Sequence, residues 1–210
     1  MAFRETPEQT ASRPRGSLTT HILTVQMAHR LAEAYKRWRH TRGYGVHSPF
    51  AYTVVKEVIR PGRRYAYYGY EDIDCALGRG EGVRARRMAR TLLRLAAFLD
   101  TDRVFMPNSH DTTLYLTALR AAGSRIHVTS AMQEAESCGL VCSTGDYMPL
   151  ERLVGLLRQP GRTLALHDAP AGWAATIFDS IGEGLMFYGR KNVLIFSRPD
   201  MQKVSYSILI

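Results

Sequence analysis

From Arg103 onward, short apolar runs alternate with amphipathic helical stretches, and that alternation leaves few folds open. Val104-Phe105-Met106 reads as a strand, followed by the polar turn Pro107-Asn108-Ser109-His110-Asp111. Thr112 to Ala122 reads as a helix that buries Leu114, Ala118 and Leu119, with Gly123 just past its end. Ile126-His127-Val128 gives a second strand and Leu140-Val141-Cys142 a third. Gly145-Asp146 introduces a helix with Leu150, Leu153, Leu156 and Leu157 inside, stopped by Pro160-Gly161. Thr163 to His167 is a fourth strand and Trp173 to Ile181 a further helix. Val193-Leu194-Ile195-Phe196 and Val204 to Ile208 read as two closing strands joined by a hairpin loop, Ser197 to Lys203. Strand-helix-strand units connected this way predict an α/β domain with a mostly parallel sheet and right-handed crossovers.

The chain ahead of this domain is of another kind. Residues 1–16 are Thr, Ser, Pro, Arg and Gly with almost nothing apolar, a flexible arm. Residues 17–100 read as a helical segment and residues 101–210 as the α/β domain. In the first helix, Leu18 to His40, the positions Leu23, Met27, Leu31, Ala34 and Trp38 line one face, a seam that offers a homodimer contact. Ser48-Pro49 opens a second helix, with Ser48 as the cap and Pro49 at the first helical position. A third runs from Gly82 to Asp100 and gathers Arg84, Arg86, Arg87, Arg90 and Arg94 on one side. Arg84, Arg87, Arg90 and Arg94 are expected to be mostly exposed, because burying unpaired guanidinium groups is costly.

Charge follows the same division. The first hundred residues hold 18 Lys+Arg against 9 Asp+Glu, and the remainder holds 10 of each. The formal net charge of +9 therefore belongs entirely to the first hundred residues. Such a basic region suits nucleic acid or an acidic partner, or it is simply a solvated face. No stretch is apolar and long enough for a transmembrane helix, and the polar start carries no secretory signal. Three cysteines, Cys75, Cys138 and Cys142, form no metal-binding spacing, so a reduced cytoplasmic protein is the expectation. No zinc motif, nucleophile elbow or phosphate-binding loop is present.

In open parallel sheets, ligands bind beyond the C-terminal strand ends. That rule nominates the turn at 107–111, Thr129-Ser130, Gly145-Asp146-Tyr147 and His167-Asp168. His110, Asp111, His167 and Asp168 are acid/base or metal-ligand candidates there, and each also reads as a helix cap or strand-end residue. One further segment stands out: Gly43-Tyr44-Gly45-Val46-His47-Ser48-Pro49-Phe50, followed by a tyrosine cluster that includes Tyr67-Tyr68 and then by Glu71 and Asp72.

In this motif the chain resembles a bacterial group of class I S-adenosylmethionine-dependent methyltransferase-like proteins bearing Gly-x-Gly-x-His-Ser-Pro-Phe; the likeness covers most of residues 35–210. The resemblance implies a Rossmann-like sheet behind an N-terminal helical extension, closed by an antiparallel strand pair. It implies a transferase that binds S-adenosylmethionine, its acceptor unspecified. Asn108 and Ser109 would then meet the methionine end, Ser130 the ribose, and Asp146, with Tyr147 beside it, the adenine. His167 and Asp168 would stand near the acceptor, and His47, Ser48, Pro49 and Phe50 carry the family motif. The chain departs from the pattern in three places. The turn at 106–111 has no glycine, Thr129-Ser130 replaces the ribose-binding acid, and one strand-helix unit, fourth or fifth, is missing. A degenerate, non-catalytic module that binds an acidic partner or nucleic acid through the arginine helix is therefore the alternative. A metal-dependent hydrolase is a distant third.

Overall fold

The computed structural model of the protein describes residues 16–61, 69–77, 82–107, 112–145 and 147–210, the side chains of 16–24 and Thr112 excepted. Two compact units are distinguished, residues 1–35 and 36–210. The described part of the first is the body of helix α1 (Gly16–Thr41), on which Val25, Met27, Leu31 and Tyr35 are exposed. No helix among the described residues is long and apolar enough to cross a membrane.

The second unit is built on a seven-stranded mixed sheet of order β2-β1-β3-β4-β6-β5-β7. The strands are β1 (Arg103–Phe105), β2 (His127–Thr129), β3 (Leu140–Thr144), β4 (Thr163–His167), β5 (Gly184–Tyr188), β6 (Val193–Ser197) and β7 (Val204–Ser207). All neighbours run parallel except β6, which is antiparallel to both β4 and β5. The expected α/β class and mostly parallel sheet are present. The antiparallel pair, however, is β5 with β6, and β7 lies parallel to β5 on its far side. The hairpin expected between the last two strands does not form, because β5 stands between them. Gly184 explains how it fits there: a Cβ would lie 2.2 Å from the Phe196 carbonyl oxygen, so only glycine lets the two backbones approach.

Alternation along the strands sends successive side chains to two separate cores. On one side Val104, Leu140, Phe187, Leu194 and Phe196 pack with helix α4 (Val83–Leu99), helix α5 (Thr112–Ala122) and helix α2 (Pro49–Val54), which continues as a π-helical turn, Val55–Ile59. Helix α3 (Gly69–Ala76) buries Ile73 in the same core. On the other side Phe105, Val141, Leu164, Leu166 and Ile195 meet helix α6 (Leu150–Leu157) and helix α7 (Trp173–Ser180). Burial therefore locks the register of the central strands from both faces.

The basic face of α4 is smaller than its sequence promises. Arg84, Arg86 and Arg87 are exposed, but Arg86 and Arg90 both bridge Asp74 of α3. Arg94 contradicts the expectation of exposure: it is 6% exposed. Its guanidinium donates to the Val58 carbonyl, to the Tyr70 hydroxyl and to Thr91 Oγ1, so the charge is buried with acceptors arranged around it.

Candidate functional site

The Gly-Tyr-Gly-Val-His-Ser-Pro-Phe segment turns out to be an anchoring device. Ser48 Oγ accepts from the Ala51 N–H at 3.3 Å, and Pro49 occupies the first turn of α2. Phe50 meets Phe196 edge-on at 5.5 Å and Phe98 at 5.8 Å, with the Arg198 guanidinium 4.7 Å from its ring. Gly43 and Gly45 have φ of +84° and +79°, and a Cβ on Gly43 would fall 2.7 Å from the Tyr52 ring. His47 is exposed. The segment lies away from the nominated strand ends. Phe196 pairs with Thr163, the first residue of β4, so Phe50 is about 13 Å along the strand from His167.

Because β1 to β4 are parallel, their C-terminal turns share one edge of the sheet. Thr144 and His167 are register partners there. Ser130 is exposed beyond β2, on the far side of β1, about 10 Å from the β3 end. Tyr147 is also exposed, its N–H directed to the Thr144 carbonyl at 3.3 Å. Asn108, Ser109, His110, Asp111 and Asp146 lie outside the described residues.

His167 and Asp168 do come together, with two partners the sequence reading passed over. His167 is 4% exposed. Its Nδ1 donates to Asn192 Oδ1 at 2.6 Å, and its Nε2 stands 3.2 Å from Asp168 Oδ2, an ion pair when the ring is protonated. Lys191 reaches the other Asp168 oxygen at 3.1 Å. Tyr115 of α5 meets the imidazole edge-on, and Asn192 Nδ2 donates to the Ile210 carbonyl. Asp168 itself adopts a left-handed φ of +49°, a conformation that costs about 1–3 kcal/mol and is held by its surroundings. Both imidazole nitrogens are thus committed to side chains of the chain itself. The arrangement ties the end of β4 to the turn before β6 and to the last residues. Lys191 and Asn192 follow Gly189-Arg190 in a tight turn between two apolar runs, the one signal that could have marked them.

Between the ends of β1 and β3, where the chain's direction of winding reverses, the described residues leave a cavity of about 10 Å³. Met106, Pro107, Tyr115, Cys142 and Thr144 are among its walls, and the volume suits one water. Oγ1 of Thr144 is buried there without a hydrogen-bond partner among the described residues. The turn at Gly145 needs glycine for its own packing: a Cβ there would meet Pro170 Cδ at 2.4 Å and the Asp168 carbonyl oxygen at 2.8 Å. Among the described residues, no group of three or more His, Cys, Asp or Glu is placed to hold a metal ion.

The cysteines are free thiols. Burial pushes the Cys142 and Cys138 thiols up, so neither is a ready thiolate near neutral pH. At pH 8 iodoacetamide is expected to modify exposed Cys75 in the folded protein and to spare Cys138 and Cys142 until denaturant is added. Mass mapping that finds Cys142 labelled as fast as Cys75 would contradict this burial.

Comparison with protein-family models, with curated proteins and with solved structures finds no match.

Proposed function

We propose that this chain is a methyltransferase-fold protein that acts as a binding module rather than as a methyl transferase. Support for the fold half of the reading comes from the strand order. Winding reverses between β1 and β3, and one antiparallel strand, β6, is inserted between β4 and β5. An antiparallel pair closing a mostly parallel sheet is what the resemblance to class I methyltransferase-like proteins implies.

Support for the binding half comes from one observation, the crowding over Gly145 at the end of β3. S-adenosylmethionine needs several hundred Å³ and a backbone bare enough for close approach. Over Gly145 the backbone is not bare: a Cβ there would lie 2.4 Å from Pro170 Cδ. His167, with both ring nitrogens engaged, is a structural tie more than a general base. Of the arginine helix, Arg84 and Arg87 remain as exposed cations for an acidic partner or nucleic acid, since Arg86 and Arg90 are paired and Arg94 is buried.

Calorimetric titration decides the matter. S-adenosylmethionine and S-adenosylhomocysteine are each expected to give no binding heat up to millimolar concentration. A Kd in the micromolar range would overturn the reading and restore the enzyme. That second reading, an S-adenosylmethionine-dependent transferase of unspecified acceptor, draws on the unpartnered Thr144 hydroxyl at the crevice.

A further inference from the structure

Away from the strand-end crevice, the described residues enclose a second and roomier space. A groove of about 840 Å³ lies between α7 and the outer strands β5 and β7, on the face away from α4 and α5. This volume is in the range of small-molecule sites. The groove's lining is apolar along its length and cationic at its ends. Phe178, Met186 and Tyr188 supply the apolar part; Arg190 and Lys191 stand at one end and Lys203 at the other. Leu185 pairs with Val204, the residue after Lys203, so the two ends are about 16 Å apart along β5.

The cations are not equivalent. Lys203 Nζ donates to the Asp179 and Ile181 carbonyls at the end of α7 and sits 5.2 Å from the Phe178 ring. Lys191 is held by Asp168. Arg190 is exposed, with neither a hydrogen bond nor an ion pair to any described residue. The one acidic side chain of the lining, Asp179, is at the Lys203 end. Positive charge is therefore unbalanced at the Arg190 end alone, beside an apolar trough with a flexible thioether and two rings in it.

We infer that this groove binds an amphipathic anion, a molecule with one carboxylate, sulfonate or phosphate head and an elongated apolar body. The head pairs with the Arg190 guanidinium, which is suited to planar and tetrahedral oxyanions. The body lies over Met186 toward Phe178. The inference does not depend on what the strand-end crevice does.

Two dyes that differ by one charge test it on the full chain. They are 8-anilino-1-naphthalenesulfonate and its uncharged counterpart N-phenyl-1-naphthylamine, followed by fluorescence titration. The sulfonate is expected to bind with one-to-one saturation and at least ten-fold more tightly than the neutral dye. Arg190→Glu should weaken the sulfonate about ten-fold and leave the neutral dye unchanged. Ala175→Trp, placed on an exposed groove position of α7, should abolish both, with thermal melting of each variant matching the parent. Equal affinities for the two dyes, or indifference of the sulfonate to Arg190→Glu, would overturn the proposal. So would binding that survives Ala175→Trp. Sedimentation with phosphatidylglycerol vesicles separates a free amphiphile from a lipid surface. A chain that pellets with vesicles yet binds no monomeric dye refutes the groove as a ligand site.

Discussion

Arg94→Met is expected to destabilise the protein by about 2–4 kcal/mol, the combined loss of several charge-assisted hydrogen bonds in a buried place. In a chain of this size that lowers Tm by about 4–16 °C. The thioether keeps most of the volume, so the loss reports on the guanidinium and not on a void. What remains is the Val58 carbonyl at the π-helical turn, facing a group that cannot donate. Arg87→Met, seven residues earlier and exposed, should change stability by no more than about 0.5 kcal/mol. Denaturant unfolding of the two variants side by side checks the contrast. Equal losses would mean that Arg94 is no more integral than its exposed neighbours.

Gly184→Ala is expected to cost about 2–5 kcal/mol. A methyl group there would sit 2.2 Å from the Phe196 carbonyl oxygen, at a φ of +145° that side chains rarely adopt. Overpacking and backbone strain each contribute about 1–3 kcal/mol. Since β5 contributes Met186 and Tyr188 to the groove, anionic-dye binding should fall along with stability. Gly182→Ala, two residues earlier and with open space around its Cβ position, is the control. A Gly184→Ala protein that melts with the parent would show that β5 and β6 can separate without loss.

These positions also mark where the sequence was legible and where it was not. The helices Thr112–Ala122 and Trp173–Ser180 and the strand Thr163–His167 were readable because burial pattern and punctuation agreed. β5 was not. Gly184-Leu-Met-Phe-Tyr follows a helix closely, and a short run buried on both faces has no alternation to mark it as a strand. Helix α3, with Glu71, Asp72 and Asp74, carries no local sign of its partners, because Arg86 and Arg90 are on another helix. Arg94 shares a helical face with exposed arginines. Nothing local announces that the Val58 carbonyl and Tyr70 hydroxyl will be waiting for it. At the strand ends, His167 and Asp168 could be nominated by rule. Their engagement by Asn192 and Lys191 depends on a hairpin that an unrecognised strand creates.

The position of β6 bears on the order in which the sheet can be assembled. β4 and β5 are not neighbours in the sheet; they are joined to each other only through β6, which follows both in the chain. During synthesis β4 can join β3 early, but β5 has no seat until residues 193–197 have emerged. β7 in turn has no partner until β5 is in place. Closure is later still, because the turn of α1 at Arg37, His40 and Thr41 bonds to Ser207 and Leu209 near the other end of the chain. The groove between α7 and β5 is therefore among the last parts to be completed. Contacts of such long sequence separation form slowly. A growing chain halted before residue 193 would present the open edge of β4 to its neighbours, the state in which a sheet protein is most prone to pair with the wrong partner.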